Sequence, residues 1–250
     1  MFEPFQPDGA ISLAGLPREH GLRQHIEWAS NAGFRSLVMD GATPGARARD
    51  LDRGARRDLA ATLRRRELGF AGVDLWIPTR HFESPDHQDR AVDATVKAIE
   101  LVRDLASLVG RSTAVLSVAL PEDVDPGIAN VIAGHAARDG VTIADHTIRS
   151  EEGESSASHS LKRGLDPATE LLAGRDPATS LLNDIGRIAC VRLSDADQAG
   201  RAALGEGRLD LEAYRIALQG VNWRQSVVID VRGLPQSASA AEAALQRWEG

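Results

Sequence analysis

The sequence predicts an α/β fold, a single (β/α)8 barrel of the TIM-barrel class. Short apolar runs alternate with longer amphipathic ones along nearly the whole chain, the pattern of parallel strands joined by right-handed crossover helices. Eight strand runs fit into 250 residues, the usual size of a closed barrel. An open doubly wound sheet would want a Gly-rich phosphate turn after its first strand, and "GLPREHG" at 15–21 is not one.

The strand runs are "ISLAG" at 11–15, "FRSLVMDG" at 34–41, "GFAGVDLWIP" at 69–78 and "TAVLSVALP" at 113–121. "VTIADHT" at 141–147, "RGLDP" at 163–167, "IACVRLSDA" at 188–196 and "SVVIDVRG" at 226–233 complete them. Between them, residues 89–107 place Val92, Val96, Ile99 and Val102 at helical spacing with charges opposite. Residues 20–32, 54–67, 126–138, 210–219 and 238–248 behave similarly. The polar, Ser-rich stretch 148–162 has no periodicity and stands where the fifth crossover helix belongs. It reads as a flexible loop, or as a lid over a site. No linker divides residues 1–250, so one domain is expected.

With a net charge of −7, nothing suggests general affinity for nucleic acid or an anionic membrane surface. The single cysteine, Cys190, excludes an intrachain disulfide and a Cys-rich zinc site. "MFEPFQPDGA" has the make-up of neither a signal peptide nor a membrane span, so the cytoplasm is the expected compartment. The basic run "RRDLAATLRRRELG" at 56–69 reads as a solvated helix face. His20, His25, His87, His135 and His159 read as structural or exposed.

Alternation within each strand then sorts side chains between the helices and the barrel interior. Val191 and Leu193 face the helices, leaving Arg192 and Ser194 inside; Cys190 lies below Arg192 and reads as core. Val227, Ile229 and Val231 face out, leaving Asp230 and Arg232 inside. The same rule turns Asp40, Asp74, Trp76, His146 and Asp166 inward, all near the C-terminal ends of their strands. Barrel active sites are built at that end, and buried charges need a partner or a ligand. Either reading, mutual ion pairs or a ligand site, accounts for the set. Trp76 is placed to stack on a sugar face and His81 or Arg80 to touch an anionic group, unless "WIPTRHF" only stabilises a turn. Asp195, past the strand that holds Arg192, is a further substrate-side candidate, or orients Arg192 or caps the next segment.

Taken in order, "NAGFRSLVMD", "GVTIADHT", "GLDPATELLAG", "VRLSDAD" and "VVIDVRG" resemble the xylose-isomerase-like TIM barrels, the sugar phosphate isomerase/epimerase group. The resemblance implies a divalent metal (Mg, Mn, Co or Zn) held by Glu, Asp, His and Glu at the ends of strands five to eight. This chain offers His146, Asp166, Arg192 and Asp230 there, and Thr169 where the group has a further histidine. Arg192 cannot ligate a metal. His146, Asp166 and Asp230 remain as a three-ligand set if Arg192 swings outward. The metal-free alternative has Arg192 bridging Asp166 and Asp230. Restoring the ligand by Arg192→His is expected to restore metal affinity if the ancestral geometry survives.

Two functions follow from the resemblance. One is an isomerase or epimerase moving a proton beside the carbonyl of a small polyhydroxylated compound. Asp166 and Asp230 would be its acids, bases or ligands, His146 a ligand or proton carrier, and Arg192 the stabiliser of the oxyanion. The other is a barrel that has lost catalysis and binds a sugar-like ligand or a protein partner. The expected partner is a small sugar-like molecule, with no nucleic acid and no membrane, and homo-oligomers left open.

Overall fold

The structure is a computed structural model that describes residues 6–110, 112–149 and 161–250. Eight parallel strands close into one barrel. They are β1 (Gly9–Ser12), β2 (Ser36–Asp40), β3 (Gly69–Leu75), β4 (Val115–Val118), β5 (Thr142–Asp145), β6 (Lys162–Leu165), β7 (Ile188–Leu193) and β10 (Val227–Ile229). Each strand pairs with its chain neighbours in the barrel, and β1 closes the ring against β10. The predicted run 188–196 is broken at its end. Residues beyond Leu193 leave the barrel, and β8 (Asp195–Ala196) pairs antiparallel with β9 (Arg201–Ala202) as a ribbon over the mouth. The first strand begins two residues earlier than its apolar run suggested, and 13–15 form a short turn of 3-10 helix.

The helices are α1 (Leu22–Asn31), α2 (Arg53–Arg65), α3 (Arg80–Glu83), α4 (Pro85–Leu108), α5 (Pro126–Asp139), α6 (Pro167–Leu172), α7 (Pro177–Asp184), α8 (Leu211–Gly220) and α9 (Ser237–Glu249). Their starts are chemically marked. Asp52, Asp125, Asp176 and Asp210 each accept a bond from a first-turn amide, and proline opens α4, α5, α6 and α7. The buried stripe of α4 includes Ile99 and Val102 as expected, but is broader and shifted. Ala91, Thr95, Ala98, Leu101 and Leu105 are buried as well, while Val92 and Val96 are half-buried. The stretch 148–162, expected to be a loop or lid, lies mostly outside the described residues.

Two apolar layers separate as the alternation predicts. Leu37, Met39, Val73, Ile143, Val191 and Ile229 join the large cluster between strands and helices. Ala10, Val38, Val115, Ala144, Cys190 and Val228 plug the barrel from within. Burial pushes the Cys190 thiol up to about 11, which suits a core residue.

One irregularity decides what the mouth contains. Register against β2 slips between Leu37 and Val38, and Gly72 takes φ 138°. A Cβ there would lie 2.4 Å from the Val115 carbonyl oxygen, so only glycine fits. Phe70 and Val73, three residues apart, both belong to the outer core. The bulge thus resets the alternation, and Asp74 enters the interior instead of the helix layer. Among the described residues no helix is long and apolar enough to cross a membrane.

Candidate functional site

Above the apolar plug, the C-terminal ends of the strands carry a connected ionic network. Arg192 of β7 is fully buried. Its guanidinium donates through Nη2 to Asp74 Oδ1, and through Nη1 to Asp74 Oδ2 (3.2 Å) and Asp230 Oδ2 (3.1 Å). Ser12 of β1 donates to Asp74 Oδ2 at 2.6 Å. Tyr214 on α8 donates to the Arg192 carbonyl at 3.1 Å, bracing the strand from behind.

Asp230 sits just past β10 and is shared by three guanidiniums. Arg232 donates through Nε to Oδ1 (2.9 Å) and through Nη2 to Oδ2 (2.6 Å). Arg192 adds its bond, and Arg201 Nη1 approaches Oδ2 at 3.7 Å. Asp166, after β6, accepts from Arg201, from Arg232 (3.2 Å) and from the Ser194 hydroxyl (2.6 Å). Three carboxylates therefore face three guanidiniums, and the formal charges cancel. Burial alone would raise the Asp230 pKa, but Arg232, Arg192 and Arg201 outweigh it and hold the carboxyl well below the usual range.

Trp76 roofs this network. The guanidinium carbon of Arg232 lies 3.9 Å from its ring centroid and that of Arg192 lies 4.9 Å away, both within cation–π range. His146 meets Trp76 edge-on at 5.4 Å, and its Nε2 lies 3.2 Å from the Ser117 hydroxyl. A Cβ on Gly164 would fall 2.2 Å from that imidazole nitrogen, so the glycine makes room for the ring. Burial, then the charges of Arg192 and Arg232, push the His146 pKa well below 6.5 and keep it neutral.

The structure thus brings together Asp74, Trp76, His146, Asp166, Arg192 and Asp230. Three candidates stand apart. Asp40 ties down the loop after β2, accepting from the Ala42 amide (2.9 Å) and the Thr43 hydroxyl. Asp195, buried, accepts from the amides of Ala196, Gly205, Gly207 and Leu209 at 2.8–3.0 Å; its oxygens organise the ribbon and its following turn instead of facing a substrate. His81 on α3 packs against His87 at 4.9 Å. The expected bridge is corrected as well: Arg192 joins Asp74 to Asp230, and Asp166 is held by Arg201 and Arg232. The carboxylate that claims Arg192 is the one brought inside by the Gly72 bulge.

Four members were not assigned from sequence, Ser194 among them, placed inside by alternation without a role. Arg232 was placed inside by alternation but given no role. Ser12 carried the same alternation signal, between Ile11 and Leu13. Arg201 had none, because the ribbon that aims it at Asp166 is too short for periodicity.

The fit to a divalent metal fails on the donor set. Among the described residues no three His, Cys, Asp or Glu side chains gather closely enough to hold an ion. His146 turns to Ser117 and Trp76. The oxygens of Asp166 and Asp230 are occupied by cationic donors, so His146, Asp166 and Asp230 do not form the three-ligand set anticipated.

The sequence matches no protein-family model, and no curated protein matches it either. Solved structures do share the fold. A xylose isomerase domain protein from Planctomyces limnophilus is similar with a TM-score of 0.74 at 16% identity, over 98% of this chain and 95% of that one. D-psicose 3-epimerase from Clostridium cellulolyticum H10, solved with D-tagatose, gives 0.74 at 13% identity over 97% and 98%. The IOLI protein, solved with a bound zinc atom, gives 0.72 at 16% identity over 97% and 95%. The fold is that of the xylose isomerase-like TIM barrels, and at these identities the likeness concerns the fold alone.

Proposed function

We propose that this chain is a metal-independent ligand-binding barrel that takes a small polyhydroxylated compound at its mouth and does not run the proton transfer of sugar isomerases and epimerases. One observation carries the reading: each carboxylate at the mouth is already spent on guanidinium and hydroxyl donors. A general base needs a free lone pair near the substrate proton and a pKa matched to its task. Asp230 has neither, being held ionised by three arginines. Trp76, half-buried over the arginines, gives the mouth an aromatic lining, and Arg201 and Arg232, partly exposed, supply polar contacts at the rim.

The catalytic reading keeps one observation in its favour. His146 is held neutral, and its Nδ1 has no hydrogen-bond partner among the described residues, so an imidazole is available to carry a proton while the arginines stabilise an oxyanion.

Hydrogen exchange separates the two. D-fructose and D-psicose incubated with the protein in D2O, with and without Mn2+, Co2+ or Zn2+, are expected to keep their C–H signals by NMR. No ion is expected to raise the melting temperature. Exchange that disappears in His146→Gln, or stoichiometric metal lost in Asp166→Ala and Asp230→Ala, would overturn the proposal in favour of an isomerase or epimerase.

A further inference from the structure

The mouth spends its acceptors but not its donors. Every oxygen of Asp74, Asp166 and Asp230 accepts a bond from within the network. Four enclosed polar atoms of the same cluster have no partner among the described residues: Trp76 Nε1, Arg192 Nε, Arg201 Nη1 and His146 Nδ1. The first three donate only, and the imidazole nitrogen takes either role. Such unmet groups are rare in folded proteins and call for a specific account. Each hydroxyl of a neutral polyol brings a donor as well as acceptor lone pairs, and would leave its proton facing spent carboxylates. An oxyanion presents acceptors alone.

The same side chains set where it would enter. Arg192 is fully enclosed, whereas the side chains of Arg201 and Arg232 are 19% and 24% exposed. Arg201 Nη1 stands 3.7 Å from Asp230, too far for a hydrogen bond. The Arg232 guanidinium carbon is held 3.9 Å from the Trp76 ring centroid, and planar guanidiniums recognise carboxylate and phosphate through their edges. The network is neutral overall, so no uncompensated negative charge opposes an incoming anion.

We infer that the barrel mouth binds the oxyanion group of a small hydroxylated acid, held by Arg201, Arg232 and the Trp76 indole N–H. This rests on the ligand-binding reading above and narrows it from sugar-like compounds to acidic ones.

Calorimetric titration of the full chain with D-gluconate, inorganic phosphate and neutral D-fructose tests it. Gluconate or phosphate is expected to bind at least tenfold tighter than fructose, with affinity falling as NaCl rises. The tighter of the two anions tells a carboxylate from a phosphate ester. Arg201→Gln and Arg232→Gln should each weaken the anion at least tenfold. Arg201→Lys, which keeps the charge on the ribbon, should cost only a few-fold, separating a lost contact from a disturbed fold. Fructose binding as tightly as gluconate, or an Arg201→Gln affinity equal to that of the parent, overturns the anion assignment and leaves the ligand-binding reading standing. If none of the three probes binds, both fall. Anion binding accompanied by C–H exchange in D2O would keep the assignment and overturn the absence of catalysis.

Discussion

Arg192→Met isolates the energetics of the network. Arg192 and its partners Asp74 and Asp230 are each without side-chain exposure. Methionine fills much of the stem volume but removes all three guanidinium bonds. Asp230 retains Arg232 and Arg201, whereas Asp74 is left with only the Ser12 hydroxyl. Removing one partner of a buried pair costs about 3–5 kcal/mol because the other charge stays buried and unpaired. At roughly 2–4 °C per kcal/mol for a domain of this size, the melting temperature should fall on the order of 10 °C. Urea unfolding followed by circular dichroism, with an unchanged m-value, reads the same loss. The companion Asp74→Asn should recover most of it in the double variant, since a buried ion pair and a neutral replacement are close in free energy. A single variant that loses less than about 1 kcal/mol, or a double variant no better than the single, would show that water already screens the pair and would refute the closed network.

Three further outcomes are expected. His146 is neutral in the fold and has a folded pKa below its unfolded value of about 6.5; the unfolded chain therefore takes up more protons, and the stabilisation present above that pH declines as pH falls. Urea titrations between about pH 7.5 and 5 should show the parent losing up to about 1.4 kcal/mol per pH unit relative to His146→Gln, and parallel curves would contradict the buried neutral ring. Gly164→Ala should cost about 1–3 kcal/mol by overpacking against that imidazole, with His146→Ala in the same chain relieving part of it in thermal melts. Asp195→Ala removes the acceptor for four amides; hydrogen exchange at Gly205, Gly207 and Leu209 should quicken while the amides of β7 keep their protection.

The barrel was legible because its signal is repeated. Each strand alternates between a helix-facing apolar layer and an interior of small or polar residues, and a parallel closed sheet requires that pattern eight times. Alternation also turned Arg192, Asp230 and Asp166 inward correctly. It could not reveal which acid pairs with which arginine, because partners come from strands far apart in sequence and small register shifts choose between them. Asp74 shows this best: alternation turned it inward as well, but its pairing with Arg192 rests on a register shift at Gly72, and one glycine in a strand is only a weak signal. Arg201 lay beyond reach for another reason, although Asp195 beside it was readable as a cap of the next segment. Their ribbon is held by side-chain bonds to backbone amides, and such bonds leave no periodicity. The two helices after β6 were missed because six and eight residues make too short a window for a helical period.

The arginines do more than fill the place of an ion. A divalent metal draws several lone pairs to one point, and its ligands must converge on it. Guanidiniums instead spread positive charge over planar forks, each engaging carboxylates along its edge. At the position where the resemblance expects a metal ligand of strand seven, Arg192 engages Asp74 and Asp230, and Arg201 and Arg232 hold Asp166 and Asp230 on their own forks. The acids are consequently committed to three arginines together. Arg192→His alone leaves Asp166 and Asp230 gripped by the other two, so that variant should still fail to bind Zn2+. Adding both Arg201→Gln and Arg232→Gln frees Oδ2 of Asp166 and of Asp230 beside a new imidazole. If zinc binds the single variant as well as the triple, the acids were never committed to the arginines, and the mouth is a metal site merely plugged by one side chain.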